Sequence, residues 1–192
     1  MADEVAHEKR ALRAELRERR RITPSTERAA ADAAITQHLI DLTSDLGSRS
    51  IAAYLSLPDE PGTRDFIAWA DEAGIRVLLP ISRQDGLLDW AEYDGSDEAV
   101  DDFGMPAPTG AVLGPIAING VDLIIVPAAS VDRTGMRMGW GRGYFDKTLG
   151  SMENCPPVYA VIFDHELVES VPSERHDQRV DGVVTESGIV AF

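Results

Sequence analysis

The stretch from Asp132 to Leu149 concentrates residue types that could hold a polyphosphate. Four glycines leave the backbone free to adopt positive φ angles and to turn successive N–H groups towards anionic oxygens. Two arginines between the first and last of these glycines supply fixed cations, and a carboxylate after the last glycine could hold a metal ion already bound to phosphates. These residues are Gly135, Gly139, Gly141 and Gly143, together with Arg137, Arg142 and Asp146. A magnesium nucleotide would suit all of them.

A glycine-rich turn between a strand and a helix can also serve backbone geometry alone, without any ligand. The two common nucleotide-binding patterns are absent from this loop. G-x-x-x-x-G-K-[ST] is excluded because Lys147 follows Asp146, and G-x-G-x-x-G is excluded because Asp146 stands where the third glycine would be. Asp146 could equally be an acidic residue in the first turn of a helix, where the helix dipole favours it. The loop taken alone leaves phosphate binding open.

A second group of cations lies near the N-terminus, where seven of the 18 basic residues fall between positions 9 and 21. This stretch has no glycine or proline and is predicted to be a helix. Cations spaced four residues apart destabilise an isolated helix by roughly a few tenths of a kcal/mol per pair. We therefore expect anionic partners from outside the helix, either the protein's own acids or a ligand. Lys9, Arg10, Arg13 and Arg17 are cations with no acidic residue three or four positions away.

The elements around these motifs alternate between helices and short apolar strands. Helices are predicted over 6–21, from Ser25 or Thr26 to about Leu46, over 64–73 and from Tyr144 onward; strands are predicted over 50–55, 75–80, 87–93, 121–128, 158–163 and 182–185. The segment 94–120 is rich in glycine, proline and acid and is predicted to be irregular. The alternation predicts α/β layering around a mainly parallel sheet, with ligands beyond the carboxyl ends of its strands.

Composition limits the classes of protein. At 192 residues and 44% hydrophobic, the chain favours one domain spanning 1–192. A net charge of -15 disfavours nucleic acid and anionic membranes as partners, and no segment approaches the roughly 20 apolar residues of a membrane span. Cys155 is the only cysteine, which excludes an internal disulfide, and the four histidines lack the spacing of a zinc site or a nucleophilic triad. We expect a cytoplasmic, soluble protein.

Four segments resemble the 5-formyltetrahydrofolate cyclo-ligase family. The glycine-rich stretch resembles its signature D-x-x-G-x-R-L-G-x-G-x-G-Y-Y-D, with Met138 and Phe145 as conservative departures. Lys9 to Arg13 matches the K-x-x-x-R pattern of its first helix. Tyr54, Leu55 and Ser56, followed by Glu60, are similar to its folate-contacting strand end, and His176 with Asp177 is similar to its late metal-site turn. In the segment 103–108, Ala107 stands where many relatives have a polar residue.

The resemblance implies a three-layer α/β/α fold with a mainly parallel (mixed) central sheet, similar to the NagB/RpiA/CoA transferase-like fold. It implies conversion of 5-formyltetrahydrofolate and ATP into 5,10-methenyltetrahydrofolate, ADP and phosphate, with Mg²⁺ as the cofactor. A monomer is expected rather than a dimer. The ATP-binding residues would be Lys9, Arg10, Arg13, Gly135, Arg137, Met138, Gly139, Trp140, Gly141, Arg142, Gly143 and Tyr144. The folate-binding residues would be Leu55, Glu60, Trp140 and Tyr144, the metal ligands Asp146 and Asp177, and the catalytic cation Arg142.

The same residues, and the chain as a whole, also allow less specific interpretations. Glu60 could be an acid in an exposed turn, and Trp140 and Tyr144 could be packed core rather than ligand contacts. The whole chain could be a nucleotide- or folate-binding relative that has lost turnover. A third hypothesis is another small phosphotransfer or isomerase activity, since a fold does not fix a function.

Overall fold

The computed structural model describes residues 2–95 and 98–192. The helices are α1 (Ala2–Ile22), α2 (Ser25–Asp45), α3 (Arg64–Glu72) and α4 (Tyr144–Gly150), with short 3₁₀ helices at Pro115–Gly120 and Asp164–Glu166. The strands are β1 (Ser50–Ala52), β2 (Arg76–Ser82), β3 (Leu88–Glu92), β4 (Glu98–Val100), β5 (Pro106–Pro108), β6 (Val112–Leu113), β7 (Leu123–Pro127), β8 (Ser130–Asp132), β9 (Arg137–Met138), β10 (Val158–Val161), β11 (Leu167–Val168), β12 (Gly182–Thr185) and β13 (Gly188–Ala191).

The central sheet has eight strands in the order β13-β12-β10-β7-β1-β2-β3-β6. The five strands from β12 to β2 are parallel, and antiparallel strands flank them on both sides. The remaining strands form a three-stranded sheet, in the order β11-β8-β9, and a two-stranded sheet, β4-β5. The prediction of a mixed α/β fold with a large, mainly parallel central sheet is therefore confirmed. The likeness to the NagB/RpiA/CoA transferase-like fold and the single-domain assignment stay predictions.

Both faces of the central sheet are covered, which explains why its strands are almost continuously apolar. In β7, Leu123 and Ile125 pack into a core shared with α2 and α3, whereas Ile124 and Val126 belong to a core on the opposite face that includes Trp90. These four of the five β7 side chains are fully buried. Each contributes about 1.5–3 kcal/mol through the hydrophobic effect, so strand β7 is firmly held at the centre of the sheet.

Helix α1 lies beside the loops that follow the parallel strands. Its Leu16 packs with Ala129, Met138 and Val171 in a third apolar cluster, where Ala129 lies between β7 and β8. This contact brings the cationic helix to the carboxyl edge of the sheet, where α/β proteins bind their ligands.

Two predictions about local structure are wrong. The predicted direct order of strand, glycine loop and helix is interrupted by the β8–β9 hairpin, which pairs with β11. The segment predicted to be irregular contains β4, β5, β6 and a 3₁₀ helix. Among the described residues, no helix is both long enough and apolar enough to span a bilayer.

Candidate active site

Two neighbouring cavities open at this edge of the sheet. The larger has a volume of about 280 Å³ and the smaller about 230 Å³. Gly139, Gly143 and Asp146 line both of them. The glycine-rich loop and the start of α4 therefore form a common wall, and a ligand in one cavity would approach a ligand in the other along that wall.

The smaller cavity gathers most of the predicted phosphate and metal groups. Cations from α1 face carboxylates from the loop before β12, although the two segments lie more than 160 positions apart in the sequence. Its charged and glycine lining comprises Lys9, Arg10, Arg13, Gly139, Gly141, Gly143, Asp146, Glu174 and Asp177. His176 lines it as well.

Lys9 has the acidic partners that its own helix does not provide. Its Nζ donates hydrogen bonds to Asp177 Oδ2 at 2.6 Å and to Glu174 Oε2 at 2.8 Å. Burial alone would lower the pKa of Lys9, but these two carboxylates outweigh it and hold that pKa above its ordinary value. Lys9 therefore stays charged at neutral pH. Arg10 is exposed and donates only to the carbonyl of Ala6 among the described residues.

Arg13 joins α1 to the glycine-rich loop, because its Nε donates to the carbonyl oxygen of Gly139 at 2.8 Å. Further along this loop, Gly143 caps α4 with a φ of 71°, a left-handed conformation that glycine adopts without steric cost. A larger residue at position 143 would be strained, so the sequence favours glycine where the loop turns into the helix.

The structure does not bring Gly135 and Met138 to either cavity. Gly135 sits in the β8–β9 turn with a φ of 82°, and a Cβ there would lie 2.5 Å from the carbonyl oxygen of Val180. Met138 is 1% exposed and packs against Leu16 in the third apolar cluster. Both residues shape the hairpin that carries the loop, which differs from the direct phosphate contact expected for them.

Arg137 and Asp146 form a buried pair beside the shared wall. One guanidinium nitrogen of Arg137 donates to Asp146 Oδ1 at 2.6 Å, and the other donates to the carbonyl oxygen of Pro127 at 3.2 Å. The backbone N–H of Gln178 also donates to Asp146 Oδ1, at 3.1 Å. Asp146 does lie in the first turn of α4, but these bonds fix the orientation of its carboxylate more tightly than a helix dipole would.

The larger cavity brings the predicted folate residues together. Leu55, Glu60, Trp140, Tyr144 and Arg142 all line it. Glu60 is only 7% exposed, so the alternative of an acid in an exposed turn is wrong. Its Oε2 accepts a hydrogen bond from the backbone N–H of Leu57 at 2.9 Å, and burial raises the pKa of its carboxyl.

Arg142 and Tyr144 contact the segment that joins β4 to β5. Arg142 donates to the carbonyl oxygen of Phe103 at 3.0 Å, and its guanidinium carbon lies 5.7 Å from the centre of the Phe103 ring. Tyr144 meets the same ring edge-on and donates its hydroxyl to the carbonyl oxygen of Arg83 at 3.2 Å. Tyr144 is thus both a packed aromatic and part of the cavity lining.

One buried ion pair at the wall of the larger cavity is not predicted by the sequence patterns. Arg20 is 1% exposed and donates to Glu166 Oε1 at 2.6 Å and Oε2 at 2.8 Å, and to the carbonyl of Ala128 at 3.0 Å. Its guanidinium also lies 4.8 Å from the ring centre of Trp140. A buried arginine on a cationic helix cannot be told from its exposed neighbours by spacing alone, because its partner is 146 positions away.

The metal-binding prediction can be tested against the donors present. Hydrogen bonds from protein groups occupy Oδ1 of Asp146 and Oδ2 of Asp177. The second oxygen of each aspartate accepts no hydrogen bond from a described residue, although His176 Nε2 lies 3.7 Å from Asp177 Oδ1. Asp177, Glu174 and His176 also place one ligand atom each within 4.8 Å of one another. Carboxylate oxygens suit Mg²⁺, which prefers hard oxygen ligands and is usually held by one or two carboxylates together with substrate phosphates. The residues fit that ion.

The fold is shared with two proteins of known structure. It matches a 5,10-methenyltetrahydrofolate synthetase from Aquifex aeolicus with a TM-score of 0.79 at 23% identity, covering 95% of this chain and 92% of that one. It matches another from Mycoplasma pneumoniae with a TM-score of 0.74 at 19% identity, covering 93% and 98%. These identities establish a shared fold.

Sequence relationships give the family. Residues 5–186 match the model of the 5-formyltetrahydrofolate cyclo-ligase family, and the chain belongs to that family. A 5-formyltetrahydrofolate cyclo-ligase from Mycolicibacterium smegmatis is 35% identical over 187 residues, with 94% of this chain and 95% of that protein covered. One from Mus musculus is 28% identical over 192 residues, with 93% of each covered. The protein is therefore an enzyme of the cyclo-ligase family.

Proposed function

We propose that this protein catalyses the ATP- and Mg²⁺-dependent cyclisation of 5-formyltetrahydrofolate to 5,10-methenyltetrahydrofolate, with release of ADP and phosphate. The observation that carries the proposal is the shared wall between the two cavities. On one side of Gly139, Gly143 and Asp146 lie cations suited to phosphates. On the other side lies a cavity lined by the buried carboxylate of Glu60 and by the aromatic side chains of Trp140 and Tyr144.

The reaction requires activation of the N5-formyl group, which is a poor electrophile. The N5-formyl group is an amide, and N10 cannot close the ring until the formyl oxygen becomes a leaving group. Transfer of the γ-phosphoryl group forms a bond between phosphorus and the formyl oxygen while the bond to the leaving ADP oxygen breaks. N10 then attacks the formyl carbon and loses its proton, and phosphate departs with the electrons of the C–O bond. These steps require alignment and charge stabilisation rather than a protein nucleophile.

The cations divide between two tasks. Lys9, Arg10 and Arg13 neutralise the phosphates in the smaller cavity, next to the backbone N–H groups of the glycine-rich loop. Arg142 lines the larger cavity and is the cation assigned to the transferred group, since it lies on the folate side of the shared wall. Arg137 holds Asp146 in place and so supports the nucleotide indirectly.

Asp146 and Asp177 would hold Mg²⁺, which neutralises charge on the nucleotide phosphates. Both carboxylates line the smaller cavity beside the cations of α1. Lys9 donates to Asp177 and thereby fixes one carboxylate oxygen.

In the larger cavity, Glu60 accepts hydrogen bonds from the amino and ring N–H groups of the pterin, because a carboxylate presents two acceptors to such a donor edge. Leu55 lines the same region, and Trp140 and Tyr144 stack on the aromatic parts of the substrate. We propose a cytoplasmic monomer as the working form, with no nucleic acid or membrane partner.

The test is a mixture of the purified protein, 5-formyltetrahydrofolate and MgATP, monitored by the near-ultraviolet absorbance of the methenyl product. Absorbance should rise only when ATP and Mg²⁺ are both present, and a chelator should stop it. A flat trace at saturating MgATP would refute the enzymatic proposal. If the same sample still bound folate and nucleotide, the non-catalytic alternative would replace it.

A further inference from the structure

Glu174 has no role in the proposed function, yet it contacts two of the residues that have one in the smaller cavity. Its Oε2 accepts a hydrogen bond from Lys9 Nζ at 2.8 Å, and its backbone N–H donates to Asp177 Oδ2 at 2.8 Å. Lys9 Nζ also donates to that oxygen of Asp177, at 2.6 Å. Glu174 therefore joins a cation proposed for phosphates to a carboxylate proposed for Mg²⁺.

The backbone of this turn holds Glu174 and Asp177 together independently of the Glu174 side chain. The backbone N–H of Asp177 donates to the carbonyl oxygen of Glu174 at 3.0 Å, in addition to the bond from the Glu174 N–H to Asp177 Oδ2. Lys9 is only 5% exposed, and its ammonium lies between the two carboxylates. The charge of Glu174 can therefore be removed without removing the backbone bonds that shape the turn.

The carboxylates of the smaller cavity offset the charge that its cations present to a ligand. Three cations of α1 line the cavity, and the carboxylates that line it are Asp146, Glu174 and Asp177. Asp146 is already paired with the buried Arg137. Glu174 and Asp177 are thus the acids that balance the cations of α1, and Glu174 supplies one of these two negative charges.

A free nucleoside triphosphate and its magnesium complex respond differently to that balance. The free form is the more negative of the two, because the metal ion in the complex neutralises phosphate oxygens. A carboxylate in the cavity repels the phosphates of the free form and attracts the metal ion of the complex. Without the charge of Glu174, Lys9 would pair with Asp177 alone, and the cations of α1 would favour the more negative free form.

We propose that the Glu174 carboxylate makes the smaller cavity select the magnesium complex of the nucleotide over the free nucleotide. Glu174 acts through the charges of Lys9 and Asp177, so it is a positioning residue. This inference rests on the proposed function, because it takes a nucleotide as the occupant of the smaller cavity.

The experiment measures binding of the ATP analogue AMP-PNP by isothermal titration calorimetry, without folate, in excess Mg²⁺ and in excess EDTA. Wild type should bind the magnesium complex more tightly than the free analogue. In Glu174→Gln the affinity for the free analogue should rise about 3–10-fold, the scale of one unit charge a few ångströms away in a solvent-accessible site. The affinity for the magnesium complex should not rise, so the ratio of the two affinities should fall.

Two further variants separate charge from shape. Glu174→Asp keeps the negative charge and should keep the wild-type preference for the magnesium complex. Glu169→Gln is the matched control, since Glu169 is an exposed acid that pairs with Arg133 and lines neither cavity. It removes one negative charge from the protein as a whole and should leave both affinities unchanged.

Several results would overturn the inference. Equal rises in both affinities with Glu174→Gln would indicate general repulsion of nucleotides, and equal falls would indicate that Glu174 only supports Lys9 structurally. An unchanged ratio would remove any role in selection. A loss of preference in Glu174→Asp as large as in Glu174→Gln would assign the effect to side-chain length rather than charge, and a wild type without preference for the magnesium complex would leave nothing to explain.

The binding measurement separates this inference from the proposed reaction, because it requires no turnover. If wild type formed no methenyl product but Glu174→Gln lost the preference for the magnesium complex, the proposed reaction would fail and the role of Glu174 would stand. If wild type formed the product and Glu174→Gln kept the preference, the role of Glu174 alone would be wrong.

Discussion

Removing Glu166 should be the most damaging single change to the framework of the site. Glu166 is fully buried, accepts two hydrogen bonds from Arg20, and also accepts the backbone N–H of Phe163 at 2.9 Å. In Glu166→Ala, Arg20 would keep its bond to the carbonyl of Ala128 but lose its counter-charge in a site that water does not reach. Breaking a buried ion pair from one side costs about 3–5 kcal/mol of unfolding free energy.

Urea unfolding measures this loss. With an m-value of about 2 kcal/mol/M, the midpoint of Glu166→Ala should fall by roughly 1.5–2.5 M. The double variant Arg20→Met/Glu166→Leu should recover much of the stability, because replacing both charges removes the uncompensated one. Glu18→Ala, which breaks the exposed pair with Arg21, should barely move the midpoint. An unchanged midpoint in Glu166→Ala would refute the role of this pair in holding α1 against the sheet.

Three further predictions concern the cavities. Arg142→Ala should lower kcat by roughly 10²–10³, the scale for one preorganised charge-stabilising group, with an unaltered melting temperature; unchanged kinetics would show that another cation contacts the transferred group. Glu60→Gln should raise the KM for folate by about tenfold, the scale of one hydrogen bond to a charged group, and a variant that lost ATP binding at unaltered folate KM would contradict the assignment. Because burial raises the pKa of Glu60, the affinity of the wild type for folate should fall as pH falls through that raised pKa. The affinity of Glu60→Gln should not change with pH over the same range. The effect of the same shift on the free energy of unfolding has the opposite sign. Because the carboxyl of Glu60 ionises at lower pH in the unfolded chain than in the folded one, the free energy of unfolding should fall as pH rises from the ordinary pKa towards the raised pKa. Lys9→Met should raise the KM for ATP by about tenfold through loss of one charge-assisted contact to phosphate, and an equal rise in the KM for folate would contradict the division between the cavities.

Local chemistry made much of the site predictable from the sequence. The density of glycines and cations identifies the loop, and the missing acidic neighbours of Lys9 correctly predict anionic partners outside its helix. The partner of Arg13 is a backbone carbonyl oxygen of the loop and not an anion. The apolar strand segments and the glycines that end the helices predict the mainly parallel sheet. Each of these predictions depends only on residues that are close together in the chain.

Contacts between distant segments could not be predicted. Arg20 and Glu166 are ordinary charged residues in the sequence, and only folding shows that both are fully buried against each other. The β8–β9 hairpin cannot be predicted, because its strands have three and two residues, too short for any periodicity to show. Sequence alone also does not separate Gly135 from the cavity glycines, because it is a tertiary contact with Val180 that requires glycine there.

A structure of the protein with MgADP and 5-formyltetrahydrofolate bound would show whether the two ligands meet at Gly139, Gly143 and Asp146. We expect the phosphates beside Lys9 and Arg13, and the pterin against Glu60, with the formyl oxygen facing the nucleotide across the shared wall. A nucleotide bound away from Lys9 and Arg13, or a pterin that does not reach Glu60, would contradict this expectation.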